Sequence, residues 1–180
     1  MSDMNLPPEL IAAAQKVVDA NRAVGLRVAL AESCTGGLVS AALTEIPGSS
    51  AVFESGFVTY SNEAKLGMLN VHNEVLETFG AVSIAAAWAM AQGALEHSEA
   101  DVAVAVSGIA GPDGGSAAKP VGTVVFARAR RGADPKDIVA DQRLFENTGR
   151  AGIRFQAALV ALELLMPDAD PEAPSADPEP

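Results

Sequence analysis

Apolar residues at Leu10, Ile11, Ala14, Val17 and Val18 recur at helical spacing behind Pro7 and Pro8. This predicts a helix over 6–24, which Gly25 can end. The run RVALA (27–31) then has the continuous apolar character of a short buried strand, and residues 35–44 return to a helix leading away from it. IPGSS is a turn, residues 52–60 are rich in β-formers, and Ser61 or Asn62 can cap a helix reaching about 69. A shorter helix is expected over 73–79, and Ser83 can cap an alanine-rich one to about 98. ADVAVAVSGIAG reads as a buried strand entering a glycine-rich loop, and 121–130 as another strand. After the turn RRGADPKD, residues 138–145 form its expected antiparallel partner, and Asn147 or Thr148 can cap a last helix to about 166. Helices alternating with buried strands, closed by a hairpin and a helix, predict an α/β fold: a three-layer α/β/α sandwich with a mixed, mainly parallel sheet.

Composition narrows the class. The chain has 180 residues, a length that suits one domain, expected over 1–166. Its 49% apolar content is mostly alanine and valine, which favours helices packed closely on a sheet. No apolar run is long enough to span a bilayer, and MSDMNLPPEL lacks the basic and apolar regions of a signal peptide, so a cytoplasmic protein without a membrane partner is expected. One cysteine excludes an internal disulfide framework, and with two scattered histidines there is no zinc pattern. The net charge is -11, of which the five acids of PDADPEAPSADPEP account for part, leaving -6 for the rest. That acidic, proline-rich tail, 167–180, is expected to be disordered. The acidic body argues against a nucleic-acid partner and leaves room for a local basic pocket.

Candidate chemistry begins at AESCTGG (31–37). Ser33 follows a strand and sits near a predicted helix start, where free amides can hold a developing oxyanion. Thr35, Gly36 and Gly37 would then lie against a substrate, the glycines allowing close backbone approach. Ser33 or Thr35 as a simple helix cap explains the same residues. Cys34 competes as a nucleophile, since a thiol at a helix start can have a lowered pKa, yet a lone cysteine is usually a small core residue. A serine needs a base. His97 near a helix end and His72 in a polar connector are poor candidates. In GFVTYSNEAKLGML, Tyr60 ends a predicted strand and Lys65 lies one turn into the next helix, so both can face one strand-end cleft. A neutral lysine could take the Ser33 proton, and Tyr60 could relay a proton to the leaving amine. A surface lysine and a half-buried tyrosine are the alternative.

SGIAGPDGG (107–115) can form an amide-lined cradle for a phosphate, with Ser107, Gly108 and Gly111 against the ligand, or simply a tight loop between strands. It matches neither a Walker A loop nor GxGxxG. Arg150 and Arg154 share one face of the last helix. Arg150 falls in its first turn, where the helix dipole disfavours a cation and an anionic partner is the natural compensation.

Taken together, AESCTGG, PGSSAVFESGFVTYSNEAK, GAVS, SGIAGPDGG with KPVGTV, and GRAGIR resemble the C-terminal domain of CinA, the nicotinamide-nucleotide amidase family, over roughly 10–166. The resemblance implies an α/β/α fold and deamidation of nicotinamide mononucleotide to nicotinic acid mononucleotide and ammonia. It also implies a serine nucleophile helped by lysine and tyrosine, which map onto Ser33, Lys65 and Tyr60. Longer CinA proteins carry a further domain before this one; a stand-alone form is expected here. We expect a small pyridine nucleotide as the partner, no metal or other cofactor, and a homo-oligomer, a dimer by preference. The competing reading is a non-catalytic nucleotide- or phosphate-binding module, which has no use for the Tyr60 and Lys65 pair. An interaction domain for recombination proteins has only the family's "competence-damage inducible" label behind it.

Overall fold

The computed structural model describes residues 6–134 and 136–168. The start of the chain and the tail beyond Asp168, on which the signal-peptide and disorder expectations fall, lie outside the described residues.

Helix α1 (Pro8–Val24) opens on a proline and ends at Gly25 in the left-handed region. There follow β1 (Val28–Glu32), α2 (Leu38–Thr44), a 3-10 turn (Ser49–Ala51) and β2 (Phe53–Val58). Next come α3 (Asn62–Leu69), α4 (Asn73–Phe79) and α5 (Ile84–Glu96). The chain closes with β3 (Val102–Gly108), β4 (Thr123–Arg130), β5 (Val139–Leu144) and α6 (Gly149–Leu164). Ser61 and Ser83 cap α3 and α5 through their hydroxyls. Thr148 makes no such bond; Asn147 Oδ1 instead accepts from the Gly149 N–H. The helix expected from residue 35 starts at Leu38, because Gly36 and Gly37 take left-handed φ values of 59° and 92° and turn the chain first.

The strands form one sheet in the order β2-β1-β3-β4-β5. β1 is parallel to β2 and β3, whereas β4 is antiparallel to β3 and β5. All strands except β4 therefore run the same way. Side-chain size separates the two faces. Val28, Leu30, Val102, Val104, Val106, Val124 and Phe126 pack under α1, α2 and α6. Ala29, Ala31, Ala103, Ala105, Ala127 and Ala129 pack under the alanine-rich α5, with α3 and α4 beside it. Small residues on both sides let α5 lie close to the sheet. Gly93 extends that fit, since a Cβ there would run into the Leu69 carbonyl.

This topology has one consequence for function. The C-terminal ends of β1, β2 and β3 share an edge, the usual place for a site in a parallel sheet. β5 runs the same way, so it delivers the start of α6, with Arg150 and Arg154, to that edge as well.

Candidate active site

Residues 33–37 make the turn between β1 and α2, and Glu32 holds it. The Glu32 side chain is fully buried. Its Oε2 accepts from the N–H groups of Gly37 (3.0 Å) and Val39 (3.2 Å), and its Oε1 from Ser40 N–H (2.9 Å) and Ser40 Oγ (2.7 Å). An acid at a helix start complements the dipole and satisfies N–H groups that would otherwise lack acceptors. The turn's other side is held by Arg154, which donates to the carbonyls of Cys34 (3.2 Å) and Thr35 (2.7 Å). Ser33 N–H goes to Val106 O and Gly36 N–H to Ser33 O. Among the described residues, the N–H groups of Cys34 and Thr35 make no bond to a backbone carbonyl; both lie within reach of the Cys34 sulfur.

Lys65 is 1% exposed, and its Nζ lies 3.1 Å from Ser33 Oγ. The same nitrogen donates to the carbonyls of Thr59 (2.8 Å) and Tyr60 (3.4 Å). Two carbonyls and a hydroxyl match either the three N–H bonds of an ammonium or the two N–H bonds and lone pair of a neutral amine, whose lone pair would then take the Ser33 hydroxyl proton. Burial lowers the Lys65 pKa below a free lysine's. Cys34 also borders this site but packs into the core, and burial pushes its thiol up to about 12, the wrong direction for a nucleophile.

A cleft of about 220 Å³ opens above the pair. Ser33, Tyr60, Lys65, Ser107, Gly108 and Arg150 all line it, with Cys34, Asn62, Ala81, Val82 and Ala110 completing the wall. Thr35, Gly36, Gly37 and Gly111 do not line it; Gly36 and Gly37 shape the turn, and the Gly111 carbonyl accepts from Arg150 (2.8 Å). Tyr60 is 58% exposed, and its hydroxyl accepts from Arg150 Nη2 at 2.6 Å, which turns the phenol toward α6. Ser107 Oγ donates to the Ala81 carbonyl, and Lys119 Nζ to those of Phe79 and Val82, which together fix the 79–82 wall. A Cβ on Gly108 would meet Val124 and the Thr123 carbonyl, so only glycine fits where the strand enters the cleft. A larger concavity of about 710 Å³, with His72 and Glu96 on its rim, lies between α5 and the α3–α4 connection. It holds no nucleophile and base pair.

Two residues escaped sequence reasoning in these roles. Glu32 carried one signal, an acid closing an otherwise apolar strand. Arg154 was visible only as the neighbour of Arg150 on one helix face.

An α/β/α sheet with a buried serine–lysine pair at the C-terminal ends of its parallel strands defines a hydrolase-like class of site. The chain belongs to the CinA C-terminal domain family, whose model matches residues 11–168. It is 49% identical to the Escherichia coli K12 nicotinamide-nucleotide amidohydrolase PncC, with 87% of this chain and 93% of that protein aligned. A protein of the same name from Enterobacter agglomerans is 53% identical over 79% of this chain and 84% of its own length. A CinA-like protein of Akkermansia muciniphila is 51% identical, and there the alignment spans 71% of this chain but 33% of the longer relative. Among solved structures, the competence/damage inducible protein CihA from Agrobacterium tumefaciens superposes with a TM-score of 0.85 at 49% identity, covering 90% of this chain and 97% of that one. Among the described residues no helix is long and apolar enough to cross a membrane.

Proposed function

We propose that this chain is a nicotinamide-nucleotide amidohydrolase, converting nicotinamide mononucleotide to nicotinic acid mononucleotide and ammonia through Ser33. The observation that carries the reading is the buried Lys65 Nζ, 3.1 Å from Ser33 Oγ and held by two carbonyls. The names of the relatives support the substrate.

In the mechanism we infer, Ser33 Oγ attacks the carboxamide carbon while its proton moves to Lys65 Nζ. The N–H groups of Cys34 and Thr35 receive the oxyanion. The Lys65 ammonium returns the proton to the departing nitrogen, and ammonia leaves an acyl-enzyme. Water, deprotonated by the same amine, hydrolyses the ester and restores Ser33. Tyr60 contributes its carbonyl to Lys65, and its phenol, with Arg150, forms one side of the cleft. That side suits the substrate phosphate, which Arg150 can grip by charge-assisted hydrogen bonds, helped by N–H groups of the 107–115 loop. The scheme needs neither metal nor other cofactor.

The test is ammonia release from nicotinamide mononucleotide, beside nicotinamide and the dinucleotide, with wild type and Ser33→Ala. Turnover of the mononucleotide that vanishes in Ser33→Ala supports the proposal. Binding without turnover would return the chain to the class of phosphate-binding modules.

A further inference from the structure

We propose that the open edge of β5 pairs with the same edge of a second copy about a two-fold axis through Gln142, joining two five-stranded sheets into one. Among the described residues, the sheet order leaves β5 with a neighbour on one side only. The Phe145 N–H bonds to Gly122 O, so in the β4–β5 register the odd-numbered residues of β5 point their backbone groups at β4. Those of Ala140, Gln142 and Leu144 point outward. Strand β5 carries no proline, lysine or bulge to protect a free edge, and its two charges, Asp141 and Arg143, are of opposite sign. The opposite edge strand, β2, pairs through a register irregularity.

The side chains select the occupant, because the strand is self-complementary. With Gln142 on the axis, its outward N–H and C=O meet those of its copy, and Ala140 meets Leu144 the same way. Asp141 then stands directly opposite the Arg143 of the copy on both sides of the axis. In the single chain these two form an exposed ion pair of 2.9 Å, with side chains 55% and 40% exposed, and each can exchange that partner for the opposite charge of the copy. The apolar residues match as well. Leu144 is 66% exposed and faces Ala140 of the copy, and Val139, 49% exposed, faces Phe145 of the copy. An edge strand whose charges and apolar residues read the same from both ends fits a second copy of itself in the antiparallel direction, with opposite charges opposed.

The test is the mass of the full chain in solution, by sedimentation or light scattering, for wild type, Asp141→Arg, Arg143→Asp and the double exchange. The wild type is expected to be a dimer. Either single reversal sets like charges opposite each other at two symmetric places and should weaken dimerisation roughly 30-fold or more. The double exchange should restore it. Far-UV circular dichroism and melting curves check that each variant is folded. A monomeric wild type at high micromolar concentration overturns the proposal. So does a dimer indifferent to both single reversals, or a folded double exchange that stays monomeric.

Discussion

Replacing Glu32 by glutamine tests whether the turn that carries Ser33 depends on one buried carboxylate. The substitution keeps the shape and turns one oxygen into an amide that can only donate. With the amide nitrogen on the Ser40 side, the Ser40 hydroxyl can turn to accept from it and the Ser40 N–H alone loses its acceptor; the opposite placement strands the N–H groups of both Gly37 and Val39. Each hydrogen bond to a charged group is worth about 1.5–3 kcal/mol, so the better placement still costs about 1.5–3 kcal/mol, a sizeable share of the typical 5–15 kcal/mol of net stability. At roughly 2–4 °C per kcal/mol for a chain of this size, even the lower figure predicts a fall in Tm of about 3–6 °C, read by calorimetry. The same relaxation moves the residue that follows Glu32, which is Ser33. A displacement of about 1 Å at a reacting group costs roughly 100-fold. Ammonia release well below Tm should therefore show kcat lower by about 10–100-fold. KM should change little, since Glu32 does not line the cleft. Wild-type Tm and kcat together would refute the argument. A lower Tm with an unchanged kcat would confine Glu32 to stability.

Ser33→Ala should lose several powers of ten in kcat, whereas Cys34→Ala, whose thiol burial pushes up to about 12, should keep most activity; the same ammonia assay decides between them. Lys65→Arg should be nearly inactive although it keeps the charge, because arginine stays protonated. Burial lowers the Lys65 pKa from 10.5. Between the lowered value and 10.5 the unfolded chain binds the extra proton, so stability should rise with pH across that window. Denaturant melts at several pH values should show Lys65→Met losing that contribution to the slope. Arg150→Ala should raise KM for nicotinamide mononucleotide by about 10–100-fold and leave any turnover of a phosphate-free substrate nearly unchanged, since one charge-assisted bond is worth roughly 1.5–3 kcal/mol; equal losses on both substrates would remove Arg150 from the phosphate. Asp168 contacts Arg128 at 3.0 Å and also pairs with Arg130, and it is half exposed, so Asp168→Ala should destabilise by about 1 kcal/mol. Removing 169–180 should leave Tm and turnover unchanged.

Much of this molecule is decided by neighbours in sequence. Helical spacing in α1, the caps at Ser61 and Ser83 and the glycines after Ser33 act within a turn or two of chain. The size alternation in VALA and VAVAV marks two buried faces before any partner is known. The strand-to-turn setting of Ser33 and the position of Lys65 one turn into α3 are likewise local, which is why both could be singled out from the chain alone. Their 3.1 Å separation is not local: it requires β1 and β2 to be parallel neighbours, so that the ends of the two strands meet. The same holds for Arg154 beneath the turn and for Tyr60 turning to Arg150, since the antiparallel return through β4 and β5 places α6 at that edge. Tyr60 and Arg150 are 90 positions apart, and periodicity carries no information about such a pairing. Glu32 is the instructive case between the two. All four of its donors lie within eight residues, yet an acid closing a strand is equally compatible with solvent. Burial of the strand end beneath α2 is what obliges its carboxylate to gather those donors, and burial is a property that only the tertiary structure decides.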